Sequence, residues 1–237
     1  FVVPHADEYQ NEYLPSSAER LAYLTGFTGS AGMAIVSAAK AVLFVDGRYT
    51  LQAPAETDTA VIEVKPLSVL CAADWLTETL PEGAVVGFDP WLTSEDSYRA
   101  LHKALGEKNR QLVPVQNNPV DEIWMDRPAP PLSKAEIHPL EFAGESSEAK
   151  RLRMAEALRA EGQQAFILTR PDSLAWLLNL RGADVAHTPL TLGFAVLHTT
   201  GTVDLFIAPE KISPEVQAHL GNAVTLHPLT QFAPAIA

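Results

Sequence analysis

Cysteine is almost absent: the single Cys71 among 237 residues excludes an internal disulfide and any thiolate-based metal cluster. One thiol also fits a reducing, cytoplasmic setting. Positive charge is scarce too. Seventeen Lys and Arg stand against 29 Asp and Glu, for a net charge of −12. The basic residues are scattered, which argues against a nucleic-acid partner, because displacing phosphate counterions needs a positive face. Long apolar runs are missing. Stretches such as "AVLFV" at 41–45 are far too short to span a membrane. No G-x-S-x-G elbow, H-E-x-x-H or other complete catalytic motif occurs. The chain opens at Phe1 with neither a methionine nor a signal-like segment, so the natural start is expected to lie elsewhere.

What is present is an alternation of short β-rich runs and helical stretches. Strands are expected at "FVV" (1–3), "MAIV" (33–36), "AVLFV" (41–45), "AVIEV" (60–64) and "AVVGF" (84–88). They recur at "AFIL" (165–168), "FAVL" (194–197), "VDLFI" (203–207) and "AVTL" (223–226). Ser16 and Glu19 form a capping-box pattern before "RLAYL". Residues 147–161 place Ala149, Leu152, Ala155 and Leu158 on one stripe, and Gly162 reads as the stop. Trp75, Trp91, Trp124 and Trp176 read as core residues. His138 and His227 precede proline and read as turn residues. Strands alternating with helices of this length indicate an α/β architecture.

The chain also repeats itself. "LAYLTGF" at 21–27 echoes "LAWLLNL" at 174–180, an offset of 153. "AIV" at 34 echoes "AVL" at 195, offset 161, so about eight residues are inserted between. "LF" at 43 echoes "LF" at 205, and "KPLSVLCAA" at 65 echoes "HPLTQFAPA" at 227, both at 162. Two copies of one domain are expected, each a mixed β-sheet flanked by helices: domain I over 1–125 and domain II over 147–237. A Pro-rich linker at 126–146 separates them. The first copy continues past the echo with a strand, the helix "SEDSYRALHKAL" and another strand. The second stops where that first helix begins, which reads as a domain cut in mid-element with strand edges uncovered.

Three stretches could carry chemistry. "TGFTGSAG" at 25–32 has the spacing G-x-x-G-x-x-G, but a strand and not a helix follows, so it reads as a loop and not a phosphate cradle. "VDGRY" at 45–49 ends a strand with turn formers. Arg48 there either pairs with Asp46 at the surface or offers its fork to a carboxylate or peptide carbonyl. In "NLRGADVAHTP", Arg181, Asp184 and His187 crowd a loop bounded by Gly182 and Pro189. Two ligand-type residues do not make a metal site.

Taken in order, "GFTGSAGMAIVSAAKAVLFVDGRYTLQA", "PVDEIWMDRP" and "SLAWLLNLRGADVAHTPL" resemble the three-domain cytosolic type of Xaa-Pro aminopeptidase, a pita-bread metallopeptidase family with creatinase-type N-terminal domains. The resemblance runs from Phe1 to about Ile207. It implies removal of an N-terminal residue preceding proline by water activated on two divalent metal ions, usually manganese. Those ions are held by two Asp, one His and two Glu of a third, catalytic domain, and none of its motifs occurs here. This chain then carries no cofactor, no metal ligand and no catalytic residue, and is expected to be inactive alone. The resemblance further implies that the N-terminal domains cover the catalytic cleft and restrict which peptides enter. Arg48 would reach bound peptide, and Arg181, Asp184 and His187 would form a gate or domain contact. Expected partners are X-Pro peptides, the chain's own catalytic domain and, in a homodimer, a second copy, with no nucleic acid and no membrane. Prolidase and creatinase are lesser rivals, since they usually carry one such domain. A non-enzymatic protein- or peptide-binding module built from the same duplicated domain is the alternative from another class.

Overall fold

The computed structural model describes the backbone of residues 1–237 and every side chain except those of residues 69 and 70. Contacts divide the chain into two units, Phe1–Ala129 and Pro130–Ala237.

In the first unit the apolar runs become strands because their alternate residues meet apolar helix faces on both sides. The elements are β1 (Val2–Pro4), α1 (Arg20–Thr25), β2 (Gly32–Val36), β3 (Ala41–Val45), α2 (Gln52–Glu56), β4 (Ile62–Pro66) and α3 (Val69–Thr79). Then come β5 (Val85–Phe88), α4 (Glu95–Gly106), β6 (Gln111–Pro114) and α5 (Pro119–Ile123). The sheet order is β4-β3-β2-β1-β5-β6. β1–β2 and β2–β3 run antiparallel, while β3–β4, β1–β5 and β5–β6 run parallel. β3 lies inside: Val42 and Phe44 pack with Ala72, Trp75 and Leu76 of α3 and with Leu101 and Leu105 of α4. On the opposite face, Leu43 and Val45 pack with Leu21 of α1, Phe27 and Val120. A strand buried on both faces reads as a continuous apolar run and not as an alternation.

The second unit contains β7 (Glu136–Ile137), α6 (Leu140–Ala143), α7 (Ser147–Ala160), β8 (Ala165–Leu168), α8 (Pro171–Leu178) and β9 (Leu180–Arg181). β10 (Phe194–His198), β11 (Val203–Phe206), α9 (Pro214–Leu220), β12 (Val224–His227) and α10 (Phe232–Ile236) follow. Its main sheet, β12-β11-β10-β8, repeats β4-β3-β2-β1 with the same senses of pairing. The registers agree as well. Ala34 pairs with Leu43 and Leu43 with Val64, as Ala195 pairs with Leu205 and Leu205 with Leu226. The internal repeat is therefore a repeat of structure, and the inserted residues lie in the loop before β10.

Local departures have local causes. Ser16 does not cap α1. It opens a 3-10 turn over Ser16–Ala18, closed by the Ala18 N–H on Pro15 O, and Glu19 at the N-cap makes no side-chain capping bond. α7 is capped by the Ser146 hydroxyl, which accepts from Ala149 N–H, and Gly162 beyond its end has φ of +69°. Its buried face, however, carries Lys150, Arg151 and Ala155, while Ala149 and Leu152 are exposed. Lys150 donates to Trp176 O and Asn179 Oδ1, and Arg151 donates to Gly201 O. Long stems bury while their heads find carbonyls. Of the tryptophans, Trp75 is buried, whereas Trp91 and Trp176 keep 45% and 42% of their surface. His227 is the last residue of β12 and not a turn residue.

Residues 126–146, expected as a linker, are divided between the units, with the break after Ala129. Residues 133–138 are tied into the second unit. β7 pairs with β9, Ala135 N–H donates to Lys211 O, and Ser133 bonds Asp184. Proline-rich composition marks the lack of regular structure there, but not the lack of partners. No helix among the described residues is long and apolar enough to cross a membrane.

Candidate functional site

Each sheet carries the same device at one end: a short helical turn after its third strand in chain order reaches back to the loop that precedes its second. In the first unit Asp46 follows β3 directly. Its carboxylate accepts from the backbone N–H of Arg48 and from Arg48 Nε, at 2.9 and 2.8 Å. That is the Asx-type closure expected of Asp-Gly, and it builds a 3-10 turn over Gly47–Tyr49. The two bonds from Arg48, backbone first, hold the Asp46 carboxyl below its ordinary range. The Arg48 guanidinium lies 5.3 Å from the centre of the Tyr49 ring and keeps 61% of its side-chain surface exposed. Among the described residues its side-chain hydrogen bond runs from Nε to Asp46. Tyr49 closes the device: its hydroxyl accepts from Ser30 N–H at 3.1 Å and bonds Ser30 Oγ at 2.8 Å. Next to it, Glu56 accepts from the N–H and hydroxyl of Thr28 and from Gln52. Gly26 ends α1 at φ +79°, and an added Cβ there would meet Glu56 O at 2.6 Å.

In the second unit the loop is longer. Asn179, at φ +51°, takes the place of Gly26 as the C-cap of α8, and residues 180–193 follow. Asp184 turns inward. Its Oδ1 accepts from the Ser133 hydroxyl and N–H, and its Oδ2 from Leu192 N–H at 2.7 Å and Lys211 Nζ at 2.5 Å. The side chains of Lys211 and Asp184 are 3% and 0% exposed. Lys211 ends the 3-10 turn Pro209–Lys211 and so stands where Tyr49 stands in the first unit. Gly182 permits the close fold-back of this loop, since a Cβ there would lie 2.8 Å from Thr191 Cβ.

Arg181, Asp184 and His187 therefore share a loop without sharing a centre. Arg181 Nη1 donates to Leu180 O at 2.7 Å, Asp184 is an internal anchor, and His187 is exposed at φ +58° in the tight turn bridging Val185 and Thr188. Beside Arg181 lies a cationic and aromatic group that sequence periodicity missed. Lys150 and Arg153 sit 4.8 and 5.6 Å from the Trp176 ring. Burial, and then the neighbouring Arg181 and Arg153 charges, lower the Lys150 pKa against the opposing pull of Glu145. Burial, Arg181 and Lys150 likewise lower that of His138.

On the opposite face of this sheet, Asp204 lies between His198 and His227, at 2.7 and 3.0 Å from the two Nε2 atoms. Among the described residues no group of three or more His, Cys, Asp or Glu is placed to hold a metal ion. The donor set present does not fit a dinuclear centre.

Two family models with the same description, creatinase/prolidase N-terminal domain, match residues 11–124 and 126–237. The chain belongs to this family and carries its domain twice. It is 40% identical over 231 residues to the Probable Xaa-Pro aminopeptidase P of Aspergillus clavatus, covering 96% of this chain and 35% of that protein. With the Probable Xaa-Pro aminopeptidase P of Paracoccidioides brasiliensis strain Pb03 it shares 39% over 233 residues, covering 97% and 38%. Among solved structures, the X-prolyl aminopeptidase of Caenorhabditis elegans, described as a cytosolic enzyme with a di-nuclear active site, superposes with a TM-score of 0.92. That match has 30% identity and covers 99% of this chain and 39% of the other. The chain thus spans little more than a third of the length of these relatives.

Proposed function

We propose that this chain is the non-catalytic N-terminal region of an Xaa-Pro aminopeptidase of the cytoplasm, covering the cleft of a separate catalytic domain and restricting which peptides enter. One observation carries the reading. Two consecutive creatinase/prolidase N-terminal domains align over nearly the whole chain with about a third of proteins named for that activity. In the complete protein, hydrolysis of the bond before proline falls to water activated by two metal ions, manganese by preference, in the catalytic domain. The residues here supply no ligand to them, and the chain alone is inactive.

Arg48 is the peptide-contacting residue in this reading. Asp46 and the Tyr49 ring fix the guanidinium from one side, and its two Nη groups remain for a carboxylate or peptide carbonyl, a geometry suited to a planar fork. The loop holding Arg181 and His187 serves as the contact element toward the catalytic domain or a second copy in a homodimer. Asp184 contributes by fixing the loop's shape. The test is hydrolysis of an X-Pro peptide by the complete protein with and without added Mn²⁺, beside the 237-residue chain. Metal-dependent turnover by the complete protein alone supports the reading. Turnover by the chain, abolished by a chelator, refutes its non-catalytic assignment. An inactive complete protein that still binds peptide points to the non-enzymatic module.

A further inference from the structure

Five of the six strands in the first sheet run the same way. β1 and β3 are each antiparallel to β2, while β3–β4, β1–β5 and β5–β6 are parallel. The carboxyl ends of all strands but β2 therefore share one end of the sheet, the end outside which open α/β sheets gather ligands. The Asp46–Arg48 turn stands there, directly after β3. At the same end, beside β1, a pocket of about 360 Å³ opens at the starts of α3 and α4. Small-molecule pockets span about 300–1,000 Å³. One bond joins pocket and turn: Leu67, on the pocket wall, donates its N–H to Val45 O, one residue before Asp46.

The pocket has a floor and a rim of different chemistry. Val2, Ala72, Phe88, Leu101 and Leu112 form the floor, each 8% exposed or less. Gln10, Ser68, Ser94 and Ser97 form the rim, and all four are exposed. Ser68 Oγ accepts from Cys71 N–H, and Ser94 donates to Ser97 Oγ at 2.9 Å. A hydroxyl has one hydrogen to give, so Ser68 and Ser97 each keep theirs for an acceptor such as a peptide carbonyl. No Asp, Glu, Lys or Arg among the described residues lines the pocket. A charged group would enter it unpaired, at a cost, whereas an apolar group covers the floor and leaves water.

We infer that this pocket is a subsite for one uncharged apolar side chain, of Leu or Phe type, on the peptide that Arg48 contacts. The inference rests on the aminopeptidase reading and adds to it a preference along the substrate. β3 and β1 are two places apart in the sheet, roughly 10 Å at about 4.8 Å per step, which about three extended residues span. The apolar side chain therefore belongs about three residues along the peptide from the group that Arg48 holds. Peptides too short to reach the pocket do not sense it.

Kinetics of the complete protein on long X-Pro peptides, with Leu or Ser placed at each position after proline in turn, test it. At one position Leu should raise kcat/KM over Ser by about tenfold or more, the effect of burying such a side chain. Ser97→Phe, which fills the pocket from its exposed rim, should abolish that gain. Arg99→Phe, on the exposed side of the same helix and outside the pocket lining, should keep it. A benzophenone side chain at the favoured position should cross-link to Met33 or Leu67 of the pocket wall, a readout that needs no variant. Equal turnover of Leu and Ser peptides at every position, a gain that survives Ser97→Phe, or cross-links confined to other residues overturns the subsite and leaves the aminopeptidase reading standing. A complete protein that cleaves none of these peptides refutes that reading, and the subsite with it.

Discussion

In the first unit the residue closing the turn after β3 is Tyr49, a half-buried phenol bonded to Ser30. In the second, the counterpart after β11 is Lys211, a buried ammonium bonded to Asp184. The two copies keep sheet order, register and turn, yet the chemistry joining turn to loop differs in kind. Loop length explains why. The short, glycine-rich loop presents the hydroxyl and N–H of Ser30 to the turn, near the surface. The inserted residues of the second copy fold over the sheet end, and their backbone donors need an internal acceptor, which Asp184 provides. Once that carboxylate is buried, a cation must accompany it.

The largest effect that could break this comparison is Asp184→Ala. Removing one partner of a buried ion pair costs about 3–5 kcal/mol, and denaturant unfolding should show that loss in the second unit. Replacing both partners together, as Asp184→Leu with Lys211→Met, should cost far less. A double mutant as unstable as the single one would show that the bonds to Ser133 and Leu192, and not the charge pair, hold the loop.

Next in size is Arg48→Ala, read in the kinetics of the complete protein. A hydrogen bond to a charged group contributes about 1.5–3 kcal/mol, and about 1.4 kcal/mol is tenfold. The expected loss in kcat/KM is therefore roughly ten- to a hundredfold, with little recovery in Arg48→Lys. Glu210, at the counterpart position, is exposed, and Glu210→Ala should leave kcat/KM unchanged. If Arg48→Ala lowers Tm but not kcat/KM, Arg48 braces its own turn and nothing more.

Tyr49→Phe should cost about 0.5–1.5 kcal/mol, the net worth of an ordinary hydrogen bond, with the first unit melting slightly earlier. A loss as large as that of Asp184→Ala would erase the distinction between the two closures.

The smallest effect concerns Asp204, whose counterpart in the first unit is the buried Val42. Burial pushes its carboxyl up, but the hydrogen bonds from His198 and His227 outweigh this and leave the pKa lowered. A lowered native pKa contributes stability that is present above the unfolded value, about 3.9, and is lost as pH falls through the native one. The Tm advantage of the wild type over Asp204→Asn should therefore hold at neutral pH and narrow below about pH 4. A constant difference across that range would show that Asp204 does not titrate differently in the folded state.

The sheets were legible because β3 and its relatives are continuous apolar runs, and because the repeat offsets tied one set of strands to the other. The Asp46–Arg48 turn was legible because Asp-Gly closes locally. Lys211 was not: it lies 27 residues from Asp184, in a stretch with no signature of its own, and only the offset of 162 from Tyr49 marks its place. The α7 stripe was misjudged for a related reason. Periodicity counts Lys150 and Arg151 as solvent-facing, while the carbonyls of Trp176 and Gly201 that receive them belong to distant elements.

The placement of β1 carries a consequence for how the molecule is made. Residues 2–4 lie in the interior of their sheet, between β2 and β5, and Val2 meets Phe88 across more than eighty residues of intervening chain. Every strand pairing in the main sheet of the second unit closes a far shorter loop. Because loop closure must precede the contacts that reward it, β1 emerges early and completes its pairing late. At roughly 5–20 residues per second, the ribosome needs about 4 to 17 seconds to deliver β5 after β1. During that interval the apolar edge at Val2 is a segment for chaperones to shield.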